Sequence, residues 1–237
     1  MQLGCENVGD IMLNVHLKKK IGDISADIEL HMERPQITVL FGRSGAGKST
    51  FAGMLAGLLP PDEGRICFRG RCFYDSQRRI NLPANKRGIG YVFQEHRLFP
   101  HITVRRNLTF ANFPGRRGTS ANFDDVVSLF ELGHLLERYP PTLSGGESQR
   151  VALGRAILGC TSFLIMDEPL SSLDNGLKDV LLSYIAAIPR LFSFPLLYIT
   201  HSREELEKLA ESVLVIEKGK EKYFGSPKNF LSNYQNI

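Results

Sequence analysis

The sequence predicts an α/β domain in which a mostly parallel sheet carries an inserted helical lobe. Short apolar runs that end in glycine or polar residues recur in both halves of the 237-residue chain. Several are apolar at nearly every position, as strands buried on both faces of a parallel sheet must be. Helical patterns alternate with these runs, which is typical of layered α/β folds. The predicted strands are 36–41, 65–68, 89–93, 163–166, 196–200 and 213–216.

Residues 95–158 are predicted to form a helical subdomain inserted into one domain. Strand-like runs disappear there and helical spacing takes over, with an apolar face that includes Val126, Phe130 and Leu132. The sheet-bearing core is predicted to comprise residues 1–94 and 159–237, so the whole chain is interpreted as a single domain. With 43% hydrophobic residues, a chain of this length can bury a sizeable core.

Charge and hydropathy argue against several classes of protein. The formal net charge is +4 and the Lys and Arg residues are scattered. The chain therefore has no basic stripe of the kind that binds nucleic acid, and no nucleic-acid partner is predicted. No apolar run approaches the roughly 20 residues that cross a bilayer, so any role at a membrane is predicted to be peripheral.

The strongest motif is GRSGAGKS, which fits the G-x-x-x-x-G-K-[ST] pattern of a phosphate-binding loop. A predicted strand precedes it and an Ala- and Leu-rich predicted helix, 49–59, follows it, so backbone N–H groups and a helix N-terminus point at one anion. The alternative, a chance glycine-rich turn, is expected in roughly one chain in a hundred of this length. The predicted nucleotide contacts are Gly42, Arg43, Ser44, Gly45, Ala46, Gly47, Lys48, Ser49 and Thr50.

The polar residues of this loop have distinct predicted roles. Lys48 neutralises the β- and γ-phosphates, the Ser49 hydroxyl ligates Mg²⁺, and Thr50 adds an N–H or hydroxyl contact. The motif thus predicts a nucleoside triphosphate with its magnesium ion.

Two acidic residues end another apolar run. Residues 163–166 are all apolar and are followed by Asp167 and Glu168, which places two carboxylates at the carboxyl edge of the sheet, where ligands of open α/β sheets bind. Asp167 is predicted to hold the magnesium shell and Glu168 to polarise the attacking water. Alone, the pattern is equally compatible with ordinary surface acids, but the phosphate-binding loop in the same chain favours the functional interpretation.

A third motif, Leu143-Ser144-Gly145-Gly146-Glu147, opens a helix predicted over residues 148–158. Its glycines form a second helix N-terminus that can take an anion. On spacing alone, a simple capped helix with Ser144 at its start is the favoured interpretation. A second anion cradle would otherwise serve another ligand or complete the site of another copy of the protein.

In order and approximate spacing, these three motifs together with Gln94, residues 171–174 and His201 resemble the ATPase subunits of ABC transporters. The resemblance extends from about residue 12 to about residue 225. It implies a P-loop NTPase core with a mostly parallel sheet, an N-terminal antiparallel β region and the inserted helical subdomain. It also implies that the chain binds ATP with Mg²⁺ and hydrolyses the ATP.

The resemblance implies roles for further residues. Gln94 resembles the glutamine that contacts Mg²⁺ and the water, and His201 resembles the histidine that touches the γ-phosphate. Ser144, Gly145 and Gly146 resemble the signature that closes over the nucleotide of an opposing subunit, which implies a homodimer. The expected catalytic residues are Lys48, Gln94, Glu168 and His201. The expected metal ligands are Ser49, Gln94 and Asp167.

Membrane partners are implied in the same way: permease subunits and, through them, a solute-binding protein, with the chain peripheral on the cytoplasmic face of the inner membrane. The expected permease contact is residues 95–108. The runs 81–94, 97–101 and 104–108 look most like the importers of molybdate and related oxyanions, although sulfate, iron, polyamine and thiamine importer ATPases carry related versions. Because the chain stops soon after Gly225, no C-terminal regulatory β domain is expected.

Two other functions compete with transport. A soluble ABC ATPase acting on DNA or ribosomes usually shows coiled-coil arms or two cassettes, and neither pattern occurs in this sequence. A non-hydrolysing nucleotide-binding regulator is disfavoured by Lys48 and Glu168.

Overall fold

The computed structural model describes residues 12–21, 24–110, 121–171 and 173–233. Within these residues the chain forms two compact units. The first contains the described residues up to Arg87 and from Pro195 onward, and the second contains those from Gly88 to Phe194. The subdomain boundaries proposed from the sequence, after residues 94 and 158, stay predictions.

The described residues form eleven strands, eight α-helices and two short 3₁₀ helices. The strands are β1 (Leu13–Ile21), β2 (Ile24–Met32), β3 (Ile37–Phe41), β4 (Glu63–Phe68), β5 (Arg71–Asp75), β6 (Ile80–Asn81), β7 (Gly90–Val92), β8 (Leu164–Asp167), β9 (Leu196–Thr200), β10 (Ser212–Glu217) and β11 (Lys220–Gly225). The helices are α1 (Lys48–Ala56), α2 (Ala84–Arg87), α3 (Val104–Thr109), α4 (Phe123–Leu129), α5 (Gly145–Leu158), α6 (Asn175–Phe192), α7 (Arg203–Leu209) and α8 (Pro227–Asn233). Short 3₁₀ helices lie at Gly133–Leu135 and Pro140–Thr142.

An antiparallel region forms one side of the first unit. Its strand order is β6-β5-β4-β1-β2, and each neighbouring pair is antiparallel. Strand β1 alternates in the way that a half-buried strand must, because Leu13, Val15 and Leu17 are fully buried while His16 and Lys18 between and beyond them are partly exposed. The N-terminal antiparallel region expected from the family resemblance is therefore present.

The sheet of the first unit continues in the order β2-β11-β10-β3-β9, in which the pairs are parallel except for the antiparallel pair β10 and β11. Strand β3 pairs in parallel with both β10 and β9. Every residue of β3 and β9 is buried, which explains their nearly continuous apolar sequences. All six strands predicted from the sequence are present, and their ends differ from the predicted ones by at most two residues.

A buried arginine closes the helix that follows β3. The Arg87 guanidinium is fully buried and donates hydrogen bonds to the carbonyl oxygens of Met54 (2.8 Å), Leu55 (2.7 Å) and Leu82 (2.7 Å), and to Asn81 Oδ1 (3.1 Å). Burial lowers the pKa of Arg87 to about 10, so the group remains charged at neutral pH. Two of these acceptors are carbonyls in the last turn of α1, where donors four residues ahead are missing; the Met54 carbonyl also accepts from the Gly57 N–H at 3.2 Å.

The second unit contains the parallel pair β7 and β8 and the helices α3 to α6. No strand lies in its described residues between 95 and 158, in agreement with the predicted helical stretch. The buried amide of Asn107 donates to the carbonyl oxygens of Phe99, Ile102 and Thr103 and so fixes the segment before α3. None of the described helices is long and apolar enough to cross a bilayer.

Candidate nucleotide-binding site

The predicted phosphate-binding loop connects the end of β3 to the start of α1. Gly47 is the N-cap of α1 and has a φ of 103°, in the left-handed region that favours glycine. It provides no side-chain cap to the helix, and the first N–H groups of any α-helix lack intrahelical acceptors. The loop thus leads into a helix N-terminus that has no side-chain cap, and helix N-termini of this kind bind phosphate groups.

Lys48 places its charge against this loop. The residue is only 5% exposed, and its Nζ donates hydrogen bonds to the carbonyl oxygens of Gly42 at 2.9 Å and Arg43 at 3.2 Å. An ammonium group held at the loop backbone can balance the negative charge of a bound phosphate.

The turn between β10 and β11 supports the phosphate-binding loop from the side. The Gly219 N–H donates to the Ala46 carbonyl at 2.9 Å, and the Gly219 carbonyl accepts from the Asp27 N–H at 2.9 Å. This turn therefore links the loop to strand β2. The sequence did not reveal it, because nothing in a local pattern shows which distant backbone groups meet.

His201 lies at the same edge of the first unit as the phosphate-binding loop. Strands β3 and β9 are parallel neighbours, and Phe41 and Thr200 are paired across them. Because Gly42 follows Phe41 and His201 follows Thr200, both predicted site residues leave adjacent strand ends. The His201 side chain is exposed there.

The carboxylate predicted to bind magnesium has a hydrogen-bond donor within the second unit. The Tyr91 hydroxyl donates to Asp167 Oδ2 at 3.1 Å. Burial raises the pKa of Tyr91, and the nearby Asp167 carboxylate raises it further. The phenol therefore keeps its proton and remains a donor. Tyr91 was not identified from the sequence, since its partner lies far along the chain.

Gln94 and Glu168 are joined through Ser171. The Gln94 Nε2 donates to Ser171 Oγ at 3.2 Å, and this hydroxyl donates to the Glu168 carbonyl at 3.1 Å. Glu168 has a φ of 47°, a left-handed conformation that is uncommon for a non-glycine residue and is often found at functional sites. In the second unit, the predicted residues Gln94, Asp167 and Glu168 thus lie in one hydrogen-bonded strand-end region. Ser172 lies outside the described residues.

The predicted signature motif forms a capped helix start. The Ser144 side chain accepts from the Glu147 N–H at 3.3 Å, and Glu147 Oε2 accepts from the Ser144 N–H at 2.7 Å, which together make a capping box. A Cβ added to Gly146 would collide with the Leu177 side chain at the start of α6. The capped-helix interpretation is what the structure shows, and the anion-binding role of Ser144, Gly145 and Gly146 stays a prediction.

The side chains predicted to bind magnesium are of chemical types that suit this ion. Within the described residues, no group of three or more His, Cys, Asp or Glu side chains could hold a metal ion. Magnesium rarely needs such a cage, because it is usually held by one or two carboxylates, water and substrate phosphates. Ser49, Gln94 and Asp167 offer the hydroxyl, amide and carboxylate oxygens that this ion prefers.

Comparison with known proteins identifies the family. A family model described as ABC transporter matches residues 25–171, more than half of the chain. The chain belongs to the ABC transporter family. Among curated relatives, the molybdenum import ATP-binding protein ModC of Pasteurella multocida (strain Pm70) is 46% identical over 213 residues, which are 90% of this chain and 60% of that protein. ModC of Aliivibrio fischeri (strain ATCC 700601 / ES114) is 45% identical over 208 residues, 88% of this chain and 56% of that protein.

Comparison with solved structures confirms the predicted fold, a P-loop NTPase core of the ABC ATPase type. CbiO1 of Clostridium perfringens, described as part of the ABC transporter complex CbiONQ, matches with a TM-score of 0.80 and 24% identity over 95% of this chain and 92% of that chain. The ADP conformation of MJ1267, an ATP-binding cassette of an ABC transporter, matches with a TM-score of 0.77 and 22% identity over 95% and 96%. The chain spans only about 60% of the length of its ModC relatives.

Proposed function

We propose that this chain binds and hydrolyses ATP as the nucleotide-binding subunit of an ABC importer, and that the importer takes up molybdate or a related oxyanion. The observation that carries the proposal is the phosphate-binding loop, in which Lys48 Nζ is hydrogen-bonded to the loop backbone and the left-handed Gly47 begins α1 without a side-chain cap. Family membership and the described hydrogen bonds around Asp167 and Glu168 support the hydrolytic function.

In this proposal the residues divide the work of phosphoryl transfer. The loop from Gly42 to Thr50 binds the phosphates through backbone N–H groups, and Lys48 balances their charge. Ser49, Gln94 and Asp167 would hold Mg²⁺, which neutralises charge on the β- and γ-phosphates when bound. Glu168 orients the attacking water and accepts its proton, while His201 contacts the γ-phosphate.

Assembly follows from the same assignment. Ser144, Gly145 and Gly146 of one copy would cover the nucleotide of a second copy, so the active form is a homodimer. Residues 95–108 would contact a transmembrane permease, which works with a solute-binding protein. The chain would then be peripheral on the cytoplasmic face of the inner membrane.

Steady-state phosphate release from ATP by the full chain, alone and with its permease, tests the hydrolytic part of the proposal. Turnover that requires Mg²⁺ and disappears in a Lys48→Ala variant is expected, because that substitution removes the charge at the phosphate-binding loop. Nucleotide binding without turnover, even in the presence of the permease, would instead indicate a regulator.

Uptake by vesicles that contain the complete transporter tests the solute. ATP-dependent accumulation of molybdate, with sulfate, ferric iron, a polyamine and thiamine as alternatives, assigns the substrate directly. Likeness to two ModC proteins supports molybdate, and accumulation of one of the alternatives in its place would overturn this assignment.

A further inference from the structure

We propose that Glu205 is a positioning residue for His201, and that it acts through the hydroxyl groups of Tyr198 and Thr200. This inference rests on the proposed function, in which His201 contacts the γ-phosphate. In this inference Glu205 contacts neither the nucleotide nor the metal ion, but it determines the position of the His201 imidazole.

The Glu205 carboxylate is buried and held by two hydroxyl groups. The residue is 5% exposed. One carboxylate oxygen, Oε2, accepts from the Tyr198 hydroxyl at 3.0 Å and from Thr200 Oγ1 at 2.6 Å. Tyr198 and Thr200 are two residues apart on β9, so they face the same side of that strand. A buried carboxylate needs such donors, because leaving it without them would be costly.

The same network reaches both neighbours of His201. Thr200 precedes His201 and provides one hydroxyl to Glu205. Ser202 follows His201, and its N–H donates to Thr200 Oγ1 at 3.0 Å, while its side chain accepts from the Glu205 N–H at 3.3 Å. Both neighbours of the histidine are therefore hydrogen-bonded to Glu205, Thr200 to its carboxylate and Ser202 to its backbone N–H.

Comparison with helix α5 shows how α7 differs from an ordinary capping box. At the start of α5, the Glu147 carboxylate returns directly to the N-cap N–H of Ser144. At the start of α7, Ser202 is the N-cap and Glu205 has the equivalent position, but the Thr200 hydroxyl lies between the N-cap N–H and the carboxylate. This arrangement caps the helix and also hydrogen-bonds its start to β9 through Thr200. His201 lies between Thr200 and Ser202, the two residues that make these hydrogen bonds.

Rigid placement of this kind matters most for a group that acts on a reacting phosphate. A misplacement of about 1 Å can cost about a hundredfold in rate. Removal of the network is therefore expected to lower turnover while leaving nucleotide affinity, which depends on the phosphate-binding loop, nearly unchanged.

Nuclear magnetic resonance of the 237-residue chain labelled with ¹⁵N-histidine tests the placement directly. His201 is one of six histidines, and its imidazole signals are assigned by their loss in a His201→Asn variant. Thr200→Val and Glu205→Gln are expected to shift or broaden the His201 signals and to leave the other imidazoles unchanged. Glu204→Gln is the matched control, since it removes a charge from the same helical turn at an exposed side chain paired with Lys208. If folded Thr200→Val and Glu205→Gln both leave the His201 signals as in wild type, the proposal is wrong.

Turnover and ATP affinity of the same variants complete the test. We expect the kcat of Thr200→Val and Glu205→Gln to fall about tenfold to a hundredfold, with ATP affinity within about twofold of wild type and Glu204→Gln unchanged. Thr200→Val removes the hydroxyl but nearly keeps the side-chain volume. If Glu205→Gln does not fold, Thr200→Val alone is used for the test. Altered His201 signals with unchanged kcat would overturn the positioning role. If Thr200→Val and Glu205→Gln change the His201 signals but the wild-type chain does not hydrolyse ATP, even with its permease, the proposed function is refuted and the positioning of His201 is not.

Discussion

The hydroxyl of Tyr91 lies 3.1 Å from Oδ2 of Asp167 and donates a hydrogen bond to it. The two residues lie on parallel neighbours, where Tyr91 pairs with Ile165, two residues before Asp167. The Tyr91 ring also stacks on Phe93, with 4.2 Å between ring centroids. This packing holds the phenol in place, so one oxygen of the Asp167 carboxylate has a fixed hydrogen-bond donor.

Asp167 is proposed as a metal ligand, and hydrogen bonds to such ligands orient them. Removing the hydroxyl with Tyr91→Phe is therefore expected to weaken Mg²⁺ binding about tenfold. The lost bond should also lower the free energy of unfolding by about 1 kcal/mol. Paramagnetic Mn²⁺ titration of the nucleotide-bound chain measures the first effect and urea unfolding the second. Tyr184→Phe is the control, since its hydroxyl bonds the exposed Glu131. Equal metal affinity in Tyr91→Phe and the control would refute the orienting role.

Glu168→Gln is expected to separate ATP binding from hydrolysis. The amide keeps the size of the side chain but cannot accept a proton, so turnover should fall at least about a hundredfold. ATP affinity should persist, and the trapped ATP complex should run as a dimer in light scattering. Glu63→Gln, which changes an exposed acid on β4, should behave as wild type. Turnover in Glu168→Gln equal to wild type would mean that another group activates the water.

Arg87→Met is expected to destabilise the fold far more than removal of a surface arginine. Methionine fills much of the buried volume but removes the Arg87 donor from the carbonyl oxygens of Leu55 and Leu82, while the Met54 carbonyl keeps only the Gly57 N–H. Buried unsatisfied acceptors cost about 1–3 kcal/mol each, so the free energy of unfolding should drop by about 2 kcal/mol or more. Arg34→Met removes a surface ion pair with Glu211 and should cost below about 1 kcal/mol. Urea unfolding of both variants measures these free energies. Similar losses for Arg87→Met and Arg34→Met would show that the buried hydrogen bonds of Arg87 do not stabilise the fold.

Elements with strong local patterns could be predicted from the sequence. Strands β3 and β9 are buried at every position, so their apolar runs were sufficient. Helix α1 was predicted to reach residue 59 but ends at Ala56, because Gly57 adopts a left-handed φ of 77° and its N–H bonds back to the helix. Gly57 is a local signal from which the end of α1 could be predicted. The hydrogen bonds from Arg87 to the last carbonyls of α1 could not be predicted, because Arg87 is distant in the sequence.

Contacts between distant segments could not be predicted. Tyr91 and Asp167 are separated by 76 positions, and the Gly219 N–H reaches Ala46 from the other end of the chain. Which side chains meet depends on strand order and register, and one sequence without a partner strand does not specify either. The residues of the candidate site were therefore predicted individually, while the groups that orient them were missed.

Gly146→Ala is expected to strain the start of α5. The added Cβ would collide with the end of the Leu177 side chain, which is only partly buried, so that side chain must leave its rotamer at a cost of about 1 kcal/mol. Gly145→Ala is a matched control one residue away, where the added Cβ would lie 4.0 Å from Leu173 Cδ2, an ordinary contact. Thermal unfolding of both variants measures the difference. Leu177→Ala should restore the stability of Gly146→Ala, and failure to do so would show that the collision is not the cause.

Glu147→Gln is expected to change how stability depends on pH. The Ser144 N–H, and then the Ser144 hydroxyl, hold the pKa of Glu147 below its usual range. Because the pKa is lower in the folded than in the unfolded state, the carboxylate stabilises the fold above its unfolded pKa of about 4.3. That contribution is lost as the pH falls through the folded value.

The glutamine variant can still accept the Ser144 N–H but cannot titrate. Urea unfolding from pH 7 to pH 3 should therefore show a stability difference from wild type that is largest near neutrality, below about 1 kcal/mol as for other helix caps, and that disappears in acid. Glu137→Gln alters an exposed carboxylate paired with Arg105 and should show little effect at any pH. A difference for Glu147→Gln that stays constant across this range would mean that the two hydrogen bonds do not favour the ionised carboxylate.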